Sequence, residues 1–394
     1  MTHLVYPGAE HTRFQHSLGV MHLASEVFDM IVATGDLERA WGGEEVARSK
    51  QLLRLYALLH DLGHAPFSHS AEKTDPEENL FPENCDHETY SIKIISETSI
   101  AALVARVGES LTRKLGSAYS IEPADLEKLI NGAIVDPHLY LLRQLMNSEL
   151  DVDKMDYLLR DSHYCGVAYG LFDLPRLKGS LTVYTEGPLT KLAVDEGGIH
   201  VVEAFILARY YMFTQVYFHR TRRILDYILR RFRREELPGS KLPHDTEEFL
   251  EWDDVRVASL IRQKARGNQS EWAARLEERR LLRLVRSSPT HASLADRRLI
   301  NVIEKVITDR FGKETVFVDR ANRLPHRLPR DMKEDPNAVL ALNRDGEPVA
   351  ISESSEIVRK LSEPINILRI YAKEDVEEEV QALCDEYYKV ALKD

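Results

Sequence analysis

His16, the adjacent pair His60-Asp61, and Asp153 form one ordered set of two imidazoles and two carboxylates. These residue types suit a borderline divalent ion such as Mn, Fe, Zn or Ni, or Mg with fewer contacts. An ion held this way lowers the pKa of a bound water and orients a phosphate oxygen, so the chemistry in prospect is hydrolysis. The dipeptide alone says little, because His244-Asp245 repeats it in a Pro- and Glu-rich stretch that reads as a solvated loop. His60-Asp61 differs in closing an apolar run, Leu52-Leu53-Arg54-Leu55-Tyr56-Ala57-Leu58-Leu59, that reads as a buried helix. Polar residues at the end of such a run need partners, and Gly63 and Pro66 break the helix just beyond them.

More histidines follow: His64, His69 and His87, the last opening a new helix. Imidazole is the side chain best suited to proton transfer near neutral pH. His69 and Glu72 stand one helical turn apart if a helix starts near Ser68. A carboxylate there would fix the imidazole's tautomer and raise its pKa, as a general acid requires. The same spacing also fits a surface cap built on Ser68 or Ser70.

The elements that must position these groups are helices. Arg13 precedes His16 by three residues in a helix running on through Leu23, Val27 and Ile31. It reads as a bidentate phosphate contact or as an ordinary ion pair. Asp153, Tyr157 and Asp161 fall at i, i+4 and i+8 on one helical face, with Lys154 at its edge. That row offers a metal carboxylate, a phosphate lysine and a tyrosine for stacking or hydrogen bonding; a charged solvated face is the alternative. A third helix is expected from about Ile199 to Arg234, carrying Arg209 and Tyr217 and then arginines that read as its wet side.

These segments resemble the HD-domain deoxynucleoside triphosphate triphosphohydrolases, relatives of the sterile-alpha-motif-and-HD-domain enzyme of animals. The likeness is carried by Tyr6-Pro7-Gly8-Ala9 with Arg13-Phe14-Gln15-His16-Ser17-Leu18-Gly19-Val20, by His60-Asp61-Leu62-Gly63-His64-Ala65-Pro66-Phe67-Ser68-His69, by Asp151-Val152-Asp153-Lys154-Met155-Asp156-Tyr157 with Arg160-Asp161, and by Arg209 with Tyr217. It extends through Thr315–Asp319 and Leu368–Tyr371, so it spans nearly the whole chain. The resemblance implies His16, His60, Asp61 and Asp153 as metal ligands. It implies His64, His69 and His87 as the histidines around the α-phosphate, with His69 and Glu72 as a catalytic dyad. Arg13, Lys154 and Arg209 are implied as phosphate contacts, and Tyr157, Asp161 and Tyr217 as the sugar pocket. The family places a segment before Met1 that supplies a glutamine for the sugar 3′-hydroxyl and contacts to activating nucleotides; the sequence here starts after it.

The implied activity is metal-dependent hydrolysis of a deoxynucleoside triphosphate to a deoxynucleoside and inorganic tripolyphosphate. The alternative is an HD phosphohydrolase acting on a nucleoside monophosphate, a cyclic nucleotide or an oligonucleotide, since a fold does not fix a substrate. A regulatory nucleotide- or nucleic-acid-binding protein with a vestigial site is the third reading; a pure binder has no use for a His69–Glu72 acid. One divalent ion at the HD site is implied, with a second Mg arriving on the nucleotide as a further option. The implied partners are the nucleotide substrate, a nucleotide activator and further copies of the chain, as a dimer or tetramer.

A net charge of −12 argues against bulk affinity for nucleic acid. The 43% hydrophobic and 29% charged composition is that of a globular protein. Cys85, Cys165 and Cys384 are far apart with no CxxC spacing, which fits a reducing cytoplasm and excludes a disulfide framework. No apolar run is long enough for a membrane span. The fold expected is mainly α: a helical metal-binding core over residues 1–175, a hairpin and long helices over 176–312, and a smaller α+β lobe over 313–394. The hairpin is read at Leu181–Tyr184 and Leu192–Val194 around Glu186-Gly187-Pro188, and the final helix at about Glu374–Leu392.

Overall fold

The computed structural model describes residues 1–68, 79–132, 136–328 and 338–391. It is mainly α, with a helical core, a small hairpin and a C-terminal α+β lobe. The first long helix, Arg13–Val32, starts where a reciprocal cap fixes it: Gln15 N–H donates to Thr12 Oγ1 and Thr12 N–H donates to the Gln15 side chain. That start places Arg13 and His16 in the first turn. The helix buries Val20, Leu23, Val27, Phe28 and Ile31 against the helix Gly43–Leu59, which contributes Leu52, Leu53 and Tyr56. Each such side chain contributes roughly 1.5–3 kcal/mol by leaving water.

The helix Val152–Cys165 is capped by Asp151, whose carboxylate accepts from Lys154 N–H at 2.8 Å, and ends at Gly166 with φ +68°. This helix packs on Arg13–Val32 and so brings residues 16 and 153 together across 137 positions of sequence.

Among the described residues seven strands complete the fold: β1 (Leu181–Glu186), β2 (Leu189–Asp195), β3 (Arg283–Ser287), β4 (Val316–Arg323), β5 (Leu340–Leu342), β6 (Pro348–Val349) and β7 (Ile365–Ala372). The expected hairpin is β1–β2, turning at Gly187 with φ +59°. It gains β5 as a parallel neighbour of β2, and β6 beyond it. The other sheet runs β3–β7–β4, antiparallel throughout, with every residue of β7 buried. The helices Leu294–Phe311 and Glu377–Ala391 share an apolar core with this sheet.

Two expectations need correction. The stretch from Ile199 to Arg234 is not one helix. It is an α-helix, Ile199–Tyr211, then a π-helical turn, Met212–Tyr217, then a break at Phe218-His219 and a new helix, Arg220–Glu236. Apolar periodicity runs across the break; what ends the first helix is His219, whose extended backbone and ring nitrogen cap the next by accepting from Thr221 N–H. Strand β3 lies where helix was expected. Its five residues are too few to show an alternating pattern, and its pairing with β7 is decided by tertiary contact. The second dipeptide, His244-Asp245, serves structure: Asp245 caps the helix Thr246–Leu250 through Glu248 N–H.

One buried ion group ties the helix Arg220–Glu236 to the C-terminal sheet. Asp319, 1% exposed, accepts from Arg223 Nε at 3.0 and 3.1 Å and from Arg369 at 3.4 Å. Asp319→Ala leaves two guanidinium groups without their carboxylate. A loss of about 3–5 kcal/mol is expected, read as a lowered urea midpoint; an unchanged midpoint would show that the group contributes nothing to the fold.

Candidate metal centre and cleft

His60 and Asp61 emerge at the end of the helix Gly43–Leu59. The following turn is held by a relay in which Gly63 N–H donates to Ser91 Oγ and Ser91 Oγ–H donates to His60 O. Gly63 has no room for a side chain: a Cβ there would lie 2.1 Å from His87 O and 2.3 Å from Ser91 N. The glycine lets the helix His87–Glu97 press against the turn, and it brings His87 over His64, rings stacked at 4.2 Å. Beyond it Phe67 and Ser68 adopt left-handed backbone, φ +57° and +59°, uncommon for residues with side chains and frequent at functional sites.

Four donors converge on one point. Ligand atoms of His16, His60 and Asp61 lie within 4.8 Å of one another. Asp153 Oδ1 is 2.9 Å from His16 Nε2 and 3.5 Å from His60 Nε2, and Asp61 Oδ1 is 3.5 Å from His60 Nε2. The remaining ring nitrogens face away and are occupied. His16 Nδ1 donates to Asp156 Oδ2 at 2.7 Å, and His60 Nδ1 donates to Ala57 O at 2.9 Å. Both Nε2 atoms are thereby aimed inward, as a metal site requires. His60 Nε2 is buried and makes no hydrogen bond among the described residues. An orphaned imidazole nitrogen facing two carboxylates fits a divalent cation.

Asp156 is a brace that sequence reasoning passed over. It holds His16 and is itself gripped by Arg160, Nε at 2.7 Å and Nη2 at 2.8 Å. Gly19, one turn along the first helix, makes space for this pair, since a Cβ there would lie 2.0 Å from Asp156 Oδ1. The spacing Asp153, Asp156, Arg160 at one-turn intervals is the signal that could have found it.

The charges are strongly coupled. Burial pulls the His16 pKa down, but its hydrogen bonds to Asp153 and Asp156, with the Asp61 charge, outweigh it and push it up to about 10. Burial pushes the Asp153 carboxyl up, yet His16 and His60 hold it well below the usual range. Burial acts likewise on Asp61, where His60, Arg13 and His64 prevail.

The donors open into a cleft of about 2210 Å³, which Arg13, His64, His87, Lys154, Tyr157, Asp161 and Tyr217 also line. Arg13 donates to Asp61 Oδ2 and, at 2.9 Å, to Ser68 Oγ, so it makes the ion pair weighed against a phosphate contact. Lys154 Nζ donates to Asp151 Oδ2 at 2.5 Å and Ser148 O at 2.9 Å. Arg209, 3% exposed, donates to Glu149 at 2.5 Å and borders Tyr157. Glu149 had no signal in the sequence. Tyr217 Oη donates to Asp161 Oδ2 at 2.6 Å, and His11 Nε2 meets Asp161 Oδ1 at 2.8 Å. Burial and the Asp161 charge drive the Tyr217 phenol well above its ordinary pKa, so it stays a donor. Tyr157 and Tyr217 meet edge to face at 6.2 Å. His69 and Glu72 lie outside the described residues.

Two outcomes follow from the brace and the charge balance. Asp156→Asn is expected to weaken divalent-metal affinity about 10- to 100-fold, measured by competition with a chromogenic chelator; unaltered affinity would remove Asp156 from the site. A raised imidazole pKa means that the folded, metal-free protein holds a proton which the unfolded chain releases near 6.5. The stability from that proton is complete below pH about 6.5 and lost as pH rises toward about 10. Metal-free protein is therefore expected to lose thermal stability between pH 7 and pH 10, and metal uptake to release protons. A flat melting profile with no proton release would contradict this.

The HD domain matches residues 13–161, and the HD associated region matches residues 172–394. The chain is similar, at 33% identity over 264 residues, to an uncharacterized protein of Methanocaldococcus jannaschii, covering 66% of this chain and 47% of that one. It is similar, at 24% identity over 387 residues, to the deoxynucleoside triphosphate triphosphohydrolase SAMHD1 homolog of Dictyostelium discoideum, covering 95% of this chain and 64% of that one. The chain thus spans less than two thirds of the length of either relative. The crystal structure of a hypothetical protein from Aquifex aeolicus superposes with a TM-score of 0.74 at 29% identity, covering 97% of this chain and 89% of that one. The HD match contains His16, His60, Asp61 and Asp153, and the associated region contains Arg209 and Tyr217. With both regions matched in order along one chain, this protein belongs to the HD-domain phosphohydrolase family.

Proposed function

We propose that this protein hydrolyses deoxynucleoside triphosphates to a deoxynucleoside and inorganic tripolyphosphate, with His16, His60, Asp61 and Asp153 holding one divalent ion. The observation that carries this reading is one cleft in which that donor cluster adjoins a cation, Lys154, two aromatic rings, Tyr157 and Tyr217, and the carboxylate of Asp161. The likeness to a triphosphohydrolase of Dictyostelium discoideum over 95% of the chain supports it. A bound divalent ion would supply a Lewis acid for a phosphoryl oxygen and a more acidic water.

The chain's own residues do the rest. His64 and His87, whose rings are stacked, would border the α-phosphate and offer imidazole donors to it. The bond that breaks joins phosphorus to the sugar 5′ oxygen; the water's hydroxyl goes to phosphorus and a proton goes to that oxygen. His69 with Glu72 is the proposed proton source. Tyr157 and Tyr217 wall the sugar, and Asp161 is fixed by His11 and Tyr217 so that it accepts from a ring hydroxyl. Crowding at Tyr217 disfavours a 2′-hydroxyl.

A specific observation supports a second reading. Lys154 is paired with Asp151 and Arg209 with Glu149, which leaves less positive charge than a triphosphate calls for. A phosphomonoester or phosphodiester substrate fits that balance. A product assay separates the two: the protein is incubated with dNTPs, NTPs, monophosphates and cyclic nucleotides, with Mn or Mg and mixed nucleotides as activators. Deoxynucleoside plus tripolyphosphate is expected. His60→Ala and Asp61→Ala are each expected to abolish bound metal and turnover; full activity in both would end the scheme.

A further inference from the structure

The charge deficit draws attention to a cation that comes from the far end of the chain. Arg323 is the last residue of β4, paired in register with Ile365 of β7, so its backbone is fixed by a sheet. The segment after it is anchored. His326 is 3% exposed, Nε2 donating to Val358 O at 2.7 Å and Nδ1 accepting from Leu328 N–H at 3.2 Å. Arg327 N–H donates to the Glu149 carboxylate, which also takes the Arg209 guanidinium.

From this anchored position the Arg323 side chain lines the same cleft as His60, Asp153, Lys154 and Tyr157. Its guanidinium lies 5.4 Å from the centroid of the Phe213 ring, and that of Arg209 lies 5.8 Å from the same ring. Two guanidinium groups thus share one aromatic ring. Glu149 serves Arg209, whereas Arg323 makes no ion pair with any described residue. Burial, and then the repulsion of Arg209, weaken the hold of Arg323 on its proton.

We propose that Arg323 is a substrate-binding residue, inserted from the C-terminal lobe to hold the distal phosphates of a nucleoside triphosphate beside Lys154 and Arg209. A guanidinium offers paired N–H donors matched to a phosphate oxygen pair. With it the cleft gains a guanidinium that lies outside the Lys154–Asp151 and Arg209–Glu149 pairs. The inference rests on the triphosphate reading of the same site. It also gives the lobe a part in discriminating triphosphates from monophosphates.

The test uses the full chain, wild type, Arg323→Ala and Arg323→Lys, and two readouts. The first is binding of inorganic tripolyphosphate and of inorganic phosphate by calorimetry, with equal Mn in cell and syringe. The second is KM for a dNTP against KM for the matching monophosphate. Arg323→Ala is expected to weaken tripolyphosphate binding and raise the triphosphate KM about tenfold, the scale of one charge-assisted hydrogen bond, and to affect the monophosphate far less. Arg323→Lys is expected to recover part of the loss. Equal tripolyphosphate binding by wild type and Arg323→Ala, no tripolyphosphate binding by wild type, or equal losses for mono- and triphosphate would each overturn the proposal. If tripolyphosphate binding depends on Arg323 but no dNTP is turned over, the inference stands and the proposed function falls. If dNTPs are cleaved and Arg323→Ala binds them as wild type does, the function stands and the inference falls.

Discussion

The imidazole of His16 is the point on which the rest of the structure depends. It is almost wholly buried, and each of its ring nitrogens meets a carboxylate of one helix, Asp153 on one side and Asp156 on the other. A single side chain therefore sets both the distance and the rotation between the helices Arg13–Val32 and Val152–Cys165. Glycine at position 19 is the steric condition for that approach, and Arg160 neutralises the carboxylate that the metal-directed face does not use. Removing any part leaves a charge in a place with little water, which is why the cluster behaves as a unit and not as a sum of pairs.

The cations of the cleft follow the same logic of advance pairing. Arg13, Lys154 and Arg209 each rest on a carboxylate of the protein, two of them at 2.5 Å. Such pairing keeps long side chains in place while the cleft is open to water. Under the proposed function an incoming phosphate would not have to organise them but would have to compete for them, so affinity would be traded against orientation.

Much of this was legible in the sequence. His60-Asp61 could be told from His244-Asp245 because an apolar run led into the first and a polar loop surrounded the second. Asp153, Tyr157 and Asp161 could be aligned because helical spacing is a local property, and the helix Val152–Cys165 confirms that alignment. What could not be read is what depends on distant partners. Nothing near Glu149 in sequence announces that it will meet Arg209, sixty residues away. Strand β3 takes its form from β7, and β5 joins the hairpin as a parallel neighbour across some 150 residues. The break at Phe218-His219 is hidden for another reason: apolar periodicity is almost the same on both sides of a π-turn.

That π-turn bears on how the site can change over generations. It holds about one residue more per turn than the α-helix around it, so it amounts to a one-residue insertion that the fold has absorbed. Loss of a single codon within 212–217 would return the segment to α-helix with Tyr217 nearly in place, whereas relaxation to α-helix without that loss would swing Tyr217 by about 100° relative to Arg209. The kink at His219 lies immediately beyond and can take up the rotation before it reaches the helix Arg220–Glu236. The wall of the proposed sugar pocket is thus hung on a short adjustable joint, while the candidate metal donors sit on helices and the turn beside one of them. A change at this joint would reshape the cleft beside Tyr217 without disturbing the candidate metal centre.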